Sequence, residues 1–310
     1  MTQTHSNKKS DIRLGTRGSQ LALWQSNWVK CELEKTGVSV ELIKIKTEGD
    51  IKTGSLAQIG GQGLFTKRLQ IALLNDEIDL AVHSLKDLPT EDHPKLMIAA
   101  VPLRETVTDA LVSNRFKNLG DLPSQAIIGT GSVRRAAQIL HLRPDLEIRD
   151  IRGNVDTRLK KLDDGEFDAI ILASAGLIRL GFEDRISHTF SPAELVPAVG
   201  QGALGLETRR LDADTISQIK ILNDLPSFHR AMAERTMLRT LYAGCLSPVG
   251  ALTNVEGDQL QLKGAVLSHD GKHKIECEET SELDQSNSLG QRVAEKLLDA
   301  GAAQYLQDRN

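Results

Sequence analysis

The chain has 310 residues, 40% hydrophobic and 26% charged, with a formal net charge of −4. That composition is ordinary for a soluble globular protein of roughly two or three domains. The acidic balance and the 3% aromatic content argue against nucleic acid or an anionic membrane as the main partner, because both select basic surfaces and nucleic acid also selects aromatic stacking platforms.

Met1 to Ser10 is polar, carries Lys8 and Lys9 and has no apolar core, so it does not read as a secretory signal. No run reaches the roughly 18 apolar residues of a membrane span. The cysteines, Cys31, Cys245 and Cys277, form no CxxC pair, which leaves no zinc or thioredoxin-like motif, and no metal site is expected. Sparse, unpaired cysteines fit a reducing compartment, and the expected location is cytoplasmic.

Ile12 to Thr16 is predicted as a strand, and Ser19 as the cap of a helix from Leu21 to about Lys35 that Gly37 ends. Val40 to Lys46 alternates as a half-buried strand does. Glu48 to Gly63 reads as a long polar, glycine-rich loop, a kind often used as a lid. Leu64 to Asn75 has helical periodicity, with Leu64, Phe65, Leu69, Ala72 and Leu73 on one face. Ile78 to Val82 is the next strand and runs into His83-Ser84-Leu85-Lys86-Asp87. Strand and helix alternation of this kind implies a largely parallel sheet.

A second such unit begins near Thr108. Its predicted strands are Ala126 to Ile128, Leu146 to Ile151 and Ala169 to Leu172, the last apolar throughout, as a doubly buried strand is. Its helices run from Val133 to His141 and from Asn154 to about Leu162. Ser191 to Gly202 is expected to return the chain to the first unit. Pro226 opens a helix to about Tyr242, ending before Gly244. Beyond Pro248 the expectation is a small α+β unit: antiparallel strands Leu260 to Leu267 and Lys274 to Glu279 around His269-Asp270-Gly271, and a helix from Leu289 to Leu306.

Two strand-to-helix turns, Thr16-Arg17-Gly18-Ser19 and Thr130-Gly131-Ser132, place small residues at helix N-termini, where backbone N–H groups bind anions. Arg17, Arg134 and Arg135 add full charges there. The set extends to Arg152, Arg158 and Arg179, and guanidinium groups clamp carboxylates in bidentate fashion. Gly244-Cys245 adds a nucleophilic thiol at a helix end. Together these suggest a tethered ligand bearing many carboxylates. Taken singly, each also fits a packed cysteine, an ordinary helix cap or a solvated arginine. Lys86 and Asp87 equally fit a surface ion pair.

Several strings carry a resemblance. They are Thr16-Arg17 before Ser19, Leu21 to Gln25, Gly60 to Lys67, Ala81 to Pro89, Gly129 to Arg135, Arg152-Gly153-Asn154 with Thr157-Arg158, Gly200 to Gly205, and Gly244-Cys245 with Pro248 and Gly250. The chain resembles the porphobilinogen deaminase (hydroxymethylbilane synthase) family over about Arg13 to Gly250, in consistent order. Arg68, Gly131, Ala243 and Ser247 depart from the family's usual residues, none at a position with a direct chemical role.

The resemblance implies a transferase of porphyrin and haem biosynthesis. It joins four porphobilinogen molecules head to tail, loses ammonia at each step, and frees hydroxymethylbilane by hydrolysis. It implies two periplasmic-binding-protein-like (type II) α/β domains and a small C-terminal α+β domain. The expected division is 1–104 with 200–221, then 105–199, then 222–310. It implies a dipyrromethane cofactor in thioether linkage to Cys245, held mainly by Ser84, Lys86, Thr130, Ser132, Arg134 and Arg135. Arg17, Ser19, Arg152, Arg158 and Arg179 are implied mainly for the incoming substrate, and Asp87 as the catalytic carboxylate. A monomer is implied, as is hand-over of product to the next enzyme of the pathway. A solute receptor, the effector domain of a regulator, a bilane lyase or a cysteine hydrolase are the alternatives. A third unit carrying a Gly-Cys loop fits the receptor and the regulator poorly.

Overall fold

The computed structural model describes residues 12–45, 66–244 and 246–306. The expected loop Glu48 to Gly63, the Gly60 to Phe65 part of its motif and Cys245 lie outside the described residues.

Strand β1 (Ile12–Thr16) leads into α1 (Gln20–Lys35), where Ser19 caps the first turn by accepting from the Ala22 amide. Strand β2 (Val40–Lys44) pairs parallel with β1. Helix α2 (Lys67–Leu74) buries Leu69, Ala72 and Leu73 of the predicted face, and Leu64 and Phe65 lie outside the described residues. Strand β3 (Leu80–Ser84) ends in a 3-10 turn, Leu85–Asp87. Strand β4 (Leu96–Ala100), which is not among the predicted strands, completes this side.

The chain then crosses to β5 (Asp109–Val112), β6 (Ile127–Gly129), α3 (Val133–Leu142), β7 (Glu147–Arg149), α4 (Val155–Asp163), β8 (Ala169–Ala173), α5 (Ser174–Arg179) and the short β9 (His188–Thr189). It crosses back to β10 (Leu204–Arg209) and α6 (Ala213–Ile219).

The two five-stranded sheets have the orders β2-β1-β3-β10-β4 and β7-β6-β8-β5-β9. Both follow one plan: second, first, third, a strand received from the other unit, then fourth. The received strands, β10 and β5, run antiparallel to both their neighbours. This agrees with two periplasmic-binding-protein-like units. Val82, Leu80, Leu14 and Leu206 share one core, and Ile171, Ile128 and Leu111 another. Each such side chain contributes about 1.5–3 kcal/mol on burial.

The crossing segments bind each other. The Arg104 Nε donates to the Gln201 carbonyl at 2.8 Å, and the Gln201 amide nitrogen donates to the Val107 carbonyl at 2.7 Å. Gly202 sits at φ +82, and a Cβ there would lie 2.5 Å from the Glu105 carbonyl, so only glycine fits.

Helix α7 (Leu225–Thr240) is capped by Asp224, with proline in its first turn. Glu234 on this helix accepts from both terminal nitrogens of Arg104, at 2.6 and 3.0 Å, and from the Gly200 amide at 2.8 Å. The third unit is thereby seated on the crossing. Its sheet has three antiparallel strands rather than the two expected: β11 (Val249–Glu256), β12 (Gln259–Leu267) and β13 (Lys274–Glu282). The expected terminal helix is two, α8 (Ser286–Asp299) and α9 (Ala303–Leu306). Gly301 at φ +91 ends α8, and the Ala302 amide reaches back to the Leu297 carbonyl at 3.0 Å. Leu289, Val293 and Leu297 pack with Met237 and Leu262 into this unit's core.

Candidate functional site

The end of β3 enters the cleft between the two sheets. Ser84 exchanges hydrogen bonds with buried Gln25 of α1, which donates to the Ser84 hydroxyl at 2.8 Å and accepts from it at 3.1 Å. Asp87, the last residue of the 3-10 turn, is exposed. Lys86 is half-buried between them.

Two small clefts meet at Lys86. One is lined by Gln25, Ser84, Lys86, Gly176, Arg179 and Gly202, where the first and second units face each other. The other is lined by Leu85, Lys86, Pro89, Arg235, Leu238 and Gly244, against the third unit. Gly244 directly precedes Cys245. The turn there is closed by the Ser247 amide donating to the Gly244 carbonyl at 3.0 Å and by the Gly244 amide donating to the Ser247 hydroxyl at 3.2 Å. Ser247, atypical for the family, thus shapes the loop. Tyr242 at φ +51 turns the chain off α7 toward it.

Burial pulls the Lys86 ammonium down to about 8, and the positive charges of Arg135 and Arg134 add to this against the opposing pull of Asp87 and Asp109. Burial likewise lowers Arg158 to about 10, with Arg135 and Arg152 contributing and Asp87 opposing. The carboxylate of Asp87 therefore lies in the field of a cationic group whose members raise one another's cost of charging.

Thr130 and Ser132 form the turn before α3. The Ser132 amide donates to the Thr130 hydroxyl at 3.2 Å, and the Ser132 hydroxyl caps the helix by accepting from the Arg135 amide at 3.4 Å. Both arginines that follow are buried on Asp109. Arg135 donates to Asp109 Oδ1 through Nε at 2.9 Å and Nη2 at 2.7 Å, and Arg134 Nη1 lies 2.8 Å from Oδ2. Gln201 donates to the same carboxylate at 3.0 Å. Burial pushes the Asp109 carboxyl up, but the two guanidinium groups outweigh it and hold it far below the usual range.

Arg152 is more open, its side chain 38% exposed, and its Nε donates to Asp150 at 2.7 Å. Arg158 donates to the Gly153 carbonyl at 2.8 Å. Arg179 donates to the Gly202 carbonyl at 2.8 Å and lies over the Trp24 ring, 5.8 Å from its centroid. Arg17 is half-buried in the turn before α1, and Ser19 is spent in capping that helix.

The structure thus gathers Ser84, Lys86 and Arg179 on one cleft, links Arg134 and Arg135 to Lys86 by their fields, and links Arg158 to Arg135 and Asp87 in the same way. Sequence reading assigns no part in the site to Asp109, Gln201, Gln25 and Arg235, and notes Ser247 only as a departure from the family's usual residue. Gln201 and Gln25 stand inside the family strings, but nothing local marks Asp109 or Arg235. Among the described residues, no group of His, Cys, Asp and Glu could hold a metal ion, and no helix is long and apolar enough to cross a membrane.

A family model described as porphobilinogen deaminase, dipyromethane cofactor binding domain, matches residues 12–217. One described as porphobilinogen deaminase, C-terminal domain, matches residues 228–299. The chain is 50% identical over 300 residues to porphobilinogen deaminase of Geobacter metallireducens, covering 95% of this chain and 93% of that one. Among solved structures, a periplasmic substrate-binding protein of an ABC transporter from Coxiella burnetii is similar at 15% identity and a TM-score of 0.46, over 72% of this chain and 96% of that one. Lipoprotein Tp32 from Treponema pallidum is similar at 13% identity and a TM-score of 0.44, over 68% and 90%.

Proposed function

The chain belongs to the porphobilinogen deaminase family, and from that premise we propose which of its residues carry the reaction. It is a transferase that joins four porphobilinogen molecules into hydroxymethylbilane with release of ammonia, on a dipyrromethane cofactor. In our reading Cys245 holds that cofactor as a thioether, Asp87 is the catalytic carboxylate, and the arginines hold ring carboxylates. The chain would be monomeric and cytoplasmic and would hand its product to the next enzyme. Its units would divide at 1–104 with 200–221, 105–199 and 222–310.

One observation carries this reading. Lys86 lines both clefts, so the turn bearing Asp87 and the loop bearing Cys245 meet at one cation. The residues fit a poly-anionic group: Thr130, Ser132, Arg134 and Arg135 lie at the start of α3, and Lys86 has a lowered pKa that a carboxylate neighbour would restore. When bound, the cofactor supplies a nucleophilic pyrrole carbon fixed to the protein by a bond that resists hydrolysis.

This chain's own residues do the rest. Each pyrrole brings an acetate and a propionate, and fixed guanidinium groups make their burial tolerable. Arg17, Arg152, Arg158 and Arg179, with Ser19, would receive the incoming substrate, and Ser84, Lys86, Thr130, Ser132, Arg134 and Arg135 the resident rings. The division is not strict, since the chain of rings shifts as it grows. Positive charge develops on the substrate pyrrole as its aminomethyl nitrogen leaves as ammonia. Asp87 would accept the pyrrole N–H, stabilise that charge, and receive the proton shed after carbon–carbon bond formation.

Intact mass under denaturing conditions tests the anchor. Cys245→Ala is expected to carry no added pyrrole mass and no activity, while Cys31→Ala and Cys277→Ala keep both. Pyrrole still attached to the Cys245→Ala chain would refute the assignment.

A further inference from the structure

We infer that Arg235 is a positioning residue that holds the Asp87 turn in register with the loop carrying Cys245, an inference that rests on the reading just given. Arg235 is 5% exposed on α7. Its Nη1 donates to the Leu88 carbonyl at 3.1 Å and its Nη2 to the Pro89 carbonyl at 2.7 Å. Leu88 follows Asp87 directly, and Pro89 has no N–H with which to join a ladder. The turn is also held by backbone bonds from the Leu85 amide to the Ala203 carbonyl at 3.0 Å and from the Leu88 amide to the Leu85 carbonyl at 3.2 Å. Asp92, on the same loop, lies 3.7 Å from Arg235 and 3.0 Å from Arg239, one turn farther along the helix.

The same helix delivers the chain to Gly244, which lines one cleft with Arg235, Lys86 and Pro89. One guanidinium fork therefore joins the element bearing the carboxylate to the element bearing the anchor, across two units of the fold. Arginine suits two successive carbonyls because its donor nitrogens are held rigid and coplanar, whereas a lysine ammonium is a single point charge on a flexible stem that does not fix their relative place. Arg235 acts through the place it gives Asp87.

The test is a double-mutant cycle on purified, cofactor-loaded enzyme, with loading counted by intact mass. Arg235→Lys is expected to lower kcat per loaded chain on the order of 10- to 100-fold, as small misplacements of a reacting group do. KM should stay within about two-fold, because binding contacts are intact. In the Asp87→Asn background the same change should cost less than about two-fold, since there is no carboxylate left to misplace. If Arg235→Lys does not fold, Asp92→Asn, a surface change, takes its place, with an expected loss of about two-fold that vanishes beside Asp87→Asn. Equal losses in both backgrounds would overturn the inference alone. Unchanged kcat per loaded chain, with only a lower unfolding midpoint, would also overturn it. A fully active Asp87→Asn would overturn the underlying reading first, and this inference with it.

Discussion

Asp109→Asn separates two roles that the arginine pair of α3 could serve. The substitution keeps the shape of a side chain with no solvent exposure but removes its charge. In the wild-type chain that carboxylate accepts from Arg135 at 2.9 and 2.7 Å and from Gln201 at 3.0 Å, and Arg134 Nη1 stands 2.8 Å from its other oxygen. Removing it leaves two buried guanidinium groups uncompensated, a loss of about 3–5 kcal/mol for a broken buried pair. A ring carboxylate reaching either arginine restores about 1.5–3 kcal/mol through a charge-assisted hydrogen bond. The variant without cofactor should thus lose the full amount, and the loaded variant about half. Urea midpoints of the two forms, sorted by intact mass, measure this. The sign with pH is settled by direction: a carboxyl held far below its ordinary value contributes fully above about 3.9 and loses its effect only as pH falls toward the folded value. The deficit should accordingly be flat between about pH 5 and 8. Equal deficits in the two forms would show that Arg134 and Arg135 serve the fold and do not hold the cofactor.

Asp87→Asn is expected to fold and to turn over about 10²–10³-fold more slowly, since stabilising developing charge commonly supplies about 3–4 kcal/mol from one group. Asp87→Glu should retain more, and ammonia release at near wild-type rate by the Asn variant would remove Asp87 from the mechanism. For Lys86, burial and neighbouring arginines lower the ammonium to about 8. Between about 8 and the unfolded value near 10.4 the unfolded chain holds a proton that the native chain lacks, so this group's contribution to stability rises with pH there. Its ability to bind a carboxylate falls over the same range. Cofactor loading, followed by intact mass, should decline above about pH 8 in the wild type, and Lys86→Arg, whose guanidinium stays charged, should move that decline to higher pH. Identical profiles would show that Lys86 does not contact the cofactor.

Much of the local structure was legible because its causes are local. Ser19 and Ser132 cap helices through amides three residues away, and the apolar run at Ala169 to Leu172 is a doubly buried strand on its own evidence. The family strings, the Gly-Cys loop and the excess of arginine at strand ends likewise lie in contiguous sequence, and with them the family, its reaction and its cofactor were within reach. Tertiary structure alone decided where buried charge is compensated. Asp109 meets Arg135 across 26 positions, Arg104 meets Glu234 across 130, and Arg235 meets Pro89 across 146. A buried cation must find an anion or carbonyl wherever the topology brings one, and the spacing of residues along the chain holds no record of that. The same holds for β10 and β5, exchanged between sheets, and for β11, which becomes a strand because β12 offers it an edge. Lys86 could be read in sequence as half of a surface pair. That it stands between two clefts follows from three units folding against one another.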